Sequence, residues 1–370
     1  MRDLKRLLRF AFYAAMLVLI LSRAVSSGIN HDENQFIAPG QLLVDQGLLP
    51  YLDYPYTHVP YAIPVYALAA LSNFDYLASL LLGVLTWMGC AAALAVIYHL
   101  IGRQLAPSAR RGVSLAPLAG EFALILALVC HPLSVFLEGA PLNHMLATLF
   151  SLLALLMLIR GIAAAGSLRA AAFWSGCFIG VAALTRLNYA SLAPVLACLW
   201  LAYALAFRLP QPLRLQAAFA GGVLAAAVPA AVLAAAAPAR FYYGNIVYIR
   251  LNTLYYSGLR LRTMMDLASK LAAFVGSVAA SPLDVLLYAA AVVSGLVVAV
   301  RAARRQFSRA DMIAAAGLAC AVTLLLSAFA PTPTQSQYFF GPLPFILVAL
   351  AVPLWQLFPG DRRAYVAACL

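Results

Sequence analysis

The chain carries too little charge to cover a water-facing surface. Aspartate and glutamate number 12 among 370 residues, and all charged residues make up 10% of the chain against 65% hydrophobic ones. Soluble domains carry roughly 25% charged residues, so that class is excluded. Cysteine is scarce too. The 6 cysteines lie mainly inside apolar runs at no metal-ligand spacing, which argues against a disulfide framework or a zinc site and for small core residues. No long polar stretch interrupts the apolar runs, so no separate soluble domain is expected. No fixed-period or inverted repeat is visible, and the Ala-rich run Leu224 to Ala237 is explained by close helix packing in lipid.

Apolar runs are what the sequence does have. A helix needs about 20 apolar residues to cross a hydrocarbon core about 30 Å thick. Ten such spans are predicted, at 10–27, 77–101, 117–136, 143–160, 171–188, 190–207, 216–237, 282–300, 311–330 and 341–358. Residues 60–71 and 266–280 are too short or interrupted to span, and read as helices at the interface or as re-entrant segments. The expected fold is an all-α integral membrane protein of about ten transmembrane helices, residues 1–370 forming one polytopic domain. The net charge of +12 follows from its distribution. Arg2, Lys5, Arg6, Arg9, Arg103, Arg110, Arg111, Arg160, Arg169, Arg208, Arg214, Arg301, Arg304, Arg305, Arg309, Arg362 and Arg363 all fall on one side of the alternating spans. The positive-inside rule makes that side cytoplasmic, with both termini inside, and no nucleic-acid partner is needed to explain the charge. The start could pass for a cleavable signal, but the further spans do not require cleavage. Richness in Ala, Leu, Val and Arg suits a bacterial inner membrane.

Against this background the acidic residues cluster. Asp32, Glu33, Asp45 and Asp53 fall in the first outer loop, residues 28–76, with no Lys or Arg among them. A carboxylate is costly at the bilayer centre, on the order of 2.5–3.5 kcal/mol or more, but cheap at the interface. There it can take a proton from a hydroxyl near a lipid headgroup, and partial burial raises its pKa toward that use. An isolated Asp-Glu pair is equally explained as ordinary loop polarity.

The neighbourhood is more specific. His31-Asp32-Glu33 is followed by an amphipathic stretch ending in Gly47, then Pro50-Tyr51-Leu52-Asp53-Tyr54-Pro55-Tyr56, then Pro60 and Pro64 before a renewed apolar run. This order resembles the first outer loop of the polytopic GT-C type glycosyltransferases that use polyprenyl-phosphate sugars. Glu138-Gly139-Ala140-Pro141-Leu142-Asn143-His144 resembles the family's second outer loop, taken here as 137–142, and Gln335 to Pro344 its late Tyr-containing segment. The resemblance covers the first loop strongly and the rest of the chain thinly.

That resemblance implies an inverting transfer of a sugar from a polyprenyl-phosphate donor to an acceptor hydroxyl on the outer face. The acceptor is a lipid, a glycan or a secreted protein. It implies Asp32 as base and Glu33 as loop support. Asp53 would fix the turn or contact sugar hydroxyls. His31 and His58 would tune Asp32, bind acceptor or simply hydrogen-bond within the loop, and Glu138 would orient acceptor or share a metal with Asp32. One departure stands out: Asn143 sits where many members carry Asp, which weakens a Mg²⁺ or Mn²⁺ site and leaves metal dependence open. Arg186, at the outer turn between spans five and six, is where the family often carries a basic residue near the donor; a snorkelling arginine is the alternative. Residues 238–281 place Arg240, Arg250, Arg260, Arg262 and Lys270 outside, against the charge bias, among Tyr242, Tyr243, Tyr248, Tyr255 and Tyr256. They would bind the donor phosphate, with Arg186 and Tyr338, or anionic headgroups beside an aromatic belt. The competing function is a lipid or solute transporter, and a third reading is a non-catalytic scaffold; mid-span regions nearly free of ionisable residues count against transport.

Overall fold

The computed structural model describes residues 2–26, 34–72, 75–105, 115–137, 142–163, 166–259 and 265–357. The described residues run through sixteen α-helices: α1 Arg2–Ser26, α2 Asn34–Gln46, α3 Ile63–Ala70, α4 Asp75–Leu105, α5 Ala116–Val129, α6 Pro132–Leu137, α7 Leu142–Ile162 and α8 Leu168–Thr185, then α9 Leu192–Ala206, α10 Pro212–Ala236, α11 Pro238–Tyr242, α12 Tyr248–Gly258, α13 Leu267–Ala280, α14 Pro282–Ala303, α15 Arg309–Ala328 and α16 Leu343–Leu357. Among the described residues there is no sheet, only an isolated bridge between Pro50 and Tyr54. Nine helices there are long and apolar enough to cross a membrane. The protein is an all-α, multi-pass membrane protein.

The tenth expected span, 117–136, is not one helix. α5 ends at Val129, and α6 begins at Pro132. Proline disfavours helical backbone in the residue before it, here His131, and so divides an otherwise apolar run. Residues 60–71 and 266–280 do form short helices, α3 and α13. Helix starts follow local chemistry: Pro212 and Pro282 supply a first-turn residue with no N–H to leave unpaired, and Ser308 and Asp311 close a reciprocal capping box on α15.

With no hydrophobic force to drive helices together inside lipid, close approach falls to small residues. α8 and α10 meet through glycines: a Cβ on Gly176 would stand 2.0 Å from the Phe219 carbonyl oxygen, and one on Gly222 2.0 Å from that of Phe173. Gly317 of α15 also lies against the backbone of α16, where an added Cβ would stand 2.8 Å from Phe345 O. α16 is the central strut, with Phe345, Ile346, Leu347, Val348 and Ala349 all buried. Outward, the bundle shows Leu85, Leu224, Val232, Val292 and Leu326, each more than half exposed.

The arginine-bearing loops gather at one end. Gln104 after α4 bonds the Ala163 carbonyl after α7 at 3.2 Å, Arg169 and Arg214 share the side-chain Oε1 of Gln211, and Arg309 lies over Phe207 at 5.8 Å. At this end Glu121 of α5, 2% exposed, accepts from Arg9 at 2.9 and 3.0 Å and from Tyr13 at 3.2 Å, with His99 2.8 Å away. The other end of α1 is tied to the same helix, Arg23 donating to the Val129 carbonyl at 3.0 Å. Removing one partner of a buried ion pair costs about 3–5 kcal/mol, and less where the remaining charges reach water. Glu121→Ala is therefore expected to lose roughly 1–3 kcal/mol, read as a lower melting temperature in detergent with Glu121→Gln falling in between.

Candidate active site

The Tyr-rich loop is built around one residue. α2 stops at Gly47, whose φ of 67° suits a left-handed helix terminus, with Gly47 N–H and Leu48 N–H closing onto Leu43 and Leu42 carbonyls. Tyr51 then turns inward at φ 65° and is fully buried. Burial pushes its pKa up to about 12, so its hydroxyl stays protonated and donates to the His58 carbonyl, while Asn245 donates to it at 3.3 Å. Asp53 accepts from the Leu49 N–H at 2.7 Å, which closes the turn locally. The loop thereby presents the His58 ring between Phe36 and Tyr56, at centroid distances of 4.9 and 5.9 Å, with Gln35 Oε1 3.1 Å from its Nε2. Burial, reinforced by the positive charge of Arg186, holds His58 down to about 4. It is a neutral imidazole at physiological pH.

Arg186 is the meeting point. It ends α8 in extended conformation and begins the 3-10 turn Leu187–Ser191. Its guanidinium lies over the Tyr338 ring at 4.8 Å, with Nη1 3.5 Å from Asn143 Oδ1. Tyr338 stacks in turn on His144 at 5.8 Å. Residues from three separate segments therefore converge: Asn143 and His144 from the start of α7, Arg186 from the α8 end, Tyr338 from the 3-10 turn Ser336–Phe340, and the charge of Arg186 is also felt at His58 of the first loop. Arg186 brings a guanidinium to the cluster, and the ring face and amide it meets, with the imidazole of His144 beside them, add neutral polar groups. Such a setting suits a phosphate. Among the described residues the cluster offers no carboxylate, the anionic oxygen that Mg²⁺ or Mn²⁺ seeks, while Asp32 and Glu138 lie outside them. Among the described residues no group of three His, Cys, Asp or Glu side chains could hold a metal ion.

The basic residues after α10 are differently placed. Arg240 donates to the Tyr51 carbonyl at 3.2 Å and to that of Leu52, and so holds the Tyr-rich loop. Gly244, in a π turn at Tyr243–Val247, comes so close that a Cβ would lie 2.0 Å from Tyr56 O. Lys270, 5% exposed, gives its ammonium protons to Phe329 O, Pro331 O and Thr332 Oγ1 at 2.7–2.9 Å. Burial lowers its pKa. The lysine anchors the loop leading to Tyr338. Arg250 is exposed on α12 beside exposed Tyr255. Asp32, Glu33, His31, Glu138, Arg260 and Arg262 lie outside the described residues.

One buried pair escaped the sequence reading. His131 Nδ1 accepts the Leu133 N–H at 3.1 Å, which leaves the ring proton on Nε2 to be donated to Asp284 Oδ1. Both side chains are buried. The signals were present as two ionisable residues in runs predicted to be apolar. With both ring nitrogens engaged, the pair binds α14 to the α5–α6 break.

No family model and no curated protein matches the sequence. Among solved structures, the crystal structure of ArnT from Cupriavidus metallidurans bound to undecaprenyl phosphate matches with a TM-score of 0.60 at 15% identity, over 97% of this chain and 63% of that one. The chain thus spans somewhat less than two thirds of that protein's length. At this identity the likeness establishes the fold alone, an arrangement of apolar helices shared with that protein.

Proposed function

We propose that this chain is a membrane glycosyltransferase that moves a sugar from a polyprenyl-phosphate donor to an acceptor hydroxyl. The observation that carries the reading is the convergence of three sequence-distant segments on Arg186 and Tyr338, within a fold shared with a protein crystallised with undecaprenyl phosphate. In this reading Arg186 binds the donor phosphate, Tyr338 and the neutral His58 and His144 shape the pocket around it, and Arg240 holds the Tyr-rich loop in place. Asp32 takes the acceptor proton as the oxygen attacks the anomeric carbon. The bond from that carbon to the phosphate oxygen breaks, and the lipid phosphate departs as an anion. A single carboxylate suffices, because the leaving group needs positive charge where glycoside hydrolysis calls for a second carboxyl group as acid. The positive-inside rule supports a cytoplasmic arginine-rich end and, with it, a site on the outer face.

The test is transfer of radiolabelled sugar from a panel of polyprenyl-phosphate sugars to membrane acceptors by purified protein in liposomes. The parent is expected to transfer from one donor, and Asp32→Asn to lose about 100-fold or more while remaining folded. Absence of transfer from every donor, with lipid or solute crossing the bilayer instead, would replace this reading with a transporter.

A further inference from the structure

Beneath Arg186 lies a short buried chain of hydroxyls. Tyr189 is 2% exposed and Thr148 fully buried, and their side-chain oxygens are 2.7 Å apart. Thr148 Oγ1 donates to the His144 carbonyl at 2.9 Å. A threonine hydroxyl has one proton, so Tyr189 is the donor in the other bond. Donation therefore runs in one direction, from the Tyr189 hydroxyl through Thr148 to the backbone of His144. The Tyr189 N–H donates to the Arg186 carbonyl at 3.0 Å, and the same turn is closed by Arg186 N–H to Ala182 O at 2.9 Å. The tyrosine hydroxyl also borders the entry to α16, where a Cβ on Gly341 would lie 3.6 Å from it. One residue thus grips the arginine turn with its backbone and the start of α7 with its side chain, and it abuts the segment that follows Tyr338.

We propose that Tyr189 and Thr148 are positioning residues that set the Arg186 guanidinium against His144 and Tyr338, and through it the affinity for a polyprenyl phosphate. The inference rests on the donor-binding reading of Arg186. Neither hydroxyl reaches the ligand; both act by fixing two helix termini whose relative placement decides whether guanidinium, imidazole and phenol face one phosphate group. A buried hydrogen-bond chain suits that task because its donors and acceptors are satisfied at one geometry only.

The test is equilibrium binding of undecaprenyl phosphate to the full chain in nanodiscs, with thermal melting recorded alongside. Tyr189→Phe and Thr148→Val conserve volume and remove one hydroxyl each. Both are expected to weaken binding about 5- to 10-fold, the order of one lost buried hydrogen bond. In an Arg186→Lys background the effect of Tyr189→Phe is expected to shrink below about twofold, since coupled residues do not add. A purely structural tie would lower the melting temperature and weaken binding equally in both backgrounds, and that outcome overturns the proposal, as does unchanged binding by both variants. Failure of the parent itself to bind the lipid would instead remove the donor-site reading, and the relay with it.

Discussion

Alanine at Arg186 is expected to reduce kcat/KM for the donor by about 100-fold or more, with the protein still folded. Removing a charged donor aimed at developing phosphate charge costs on the order of 3 kcal/mol, which is about two powers of ten in rate. The guanidinium lies over a ring face at 4.8 Å and makes a long contact to Asn143 at 3.5 Å, and melting curves recorded alongside check that the variant is folded. Lysine at this position keeps the charge but neither the planar fork nor the stacking on Tyr338, and is expected to recover only part of the loss. The split matters. A residue that binds donor phosphate equally in ground and transition states raises KM alone, whereas one that meets the charge growing on the departing phosphate lowers kcat as well. Steady-state kinetics at varied donor concentration separate the two. Wild-type kcat/KM in Arg186→Ala would remove Arg186 from the donor site.

Two adjacent glycines are expected to behave oppositely. At Gly222 an added Cβ meets the Phe173 carbonyl oxygen at 2.0 Å and Cys177 N at 2.8 Å, both backbone atoms of α8 that cannot swing aside. At Gly221 it meets nothing within 4 Å. Overpacking a core costs about 1–3 kcal/mol and sometimes more, so Gly222→Ala is expected to cost about 3 kcal/mol and Gly222→Val to yield little folded protein. Gly221→Ala is expected to be neutral or slightly stabilising, since alanine is the better helix former by about 1 kcal/mol. Melting curves and monodispersity in detergent read the difference. The consequence reaches the site, because α8 ends in Arg186. Any Gly222→Ala protein that does fold is expected to bind donor more weakly.

Most of the architecture was legible because lipid allows few solutions: a run of some 20 apolar residues has to be a helix. Counting apolar residues erred where backbone chemistry decided, at His131-Pro132, since the run stays apolar on average while the proline divides it. Arg186 was legible as a cation between two spans, and Tyr338 as a tyrosine leading into a Pro-marked one. What sequence could not show is which charges serve the backbone. Arg240 and Lys270 counted as cations calling for an anion, yet the structure gives their protons to carbonyl oxygens of the Tyr-rich loop and of residues 329–331. A carbonyl has no letter in the sequence, so such acceptors leave no trace in it. His131 and Asp284, 153 residues apart, were each visible, but their pairing was not.

The ties that hold the first helix also dictate an order of events during synthesis. Arg9 and Arg23 meet their partners on α5 across separations of 112 and 106 residues. α1 is apolar enough to enter the membrane early, but neither arginine has these acceptors until α5 has been made. Its final seat is therefore decided only when the buried Glu121 and the Val129 carbonyl arrive. A nascent chain arrested before residue 116 has His99 of α4 to meet Arg9 but neither of these acceptors, so α1 is held short of its full set of ties. The helix from which the acidic loop departs is thus first to be inserted but locked only once the fifth helix has been made.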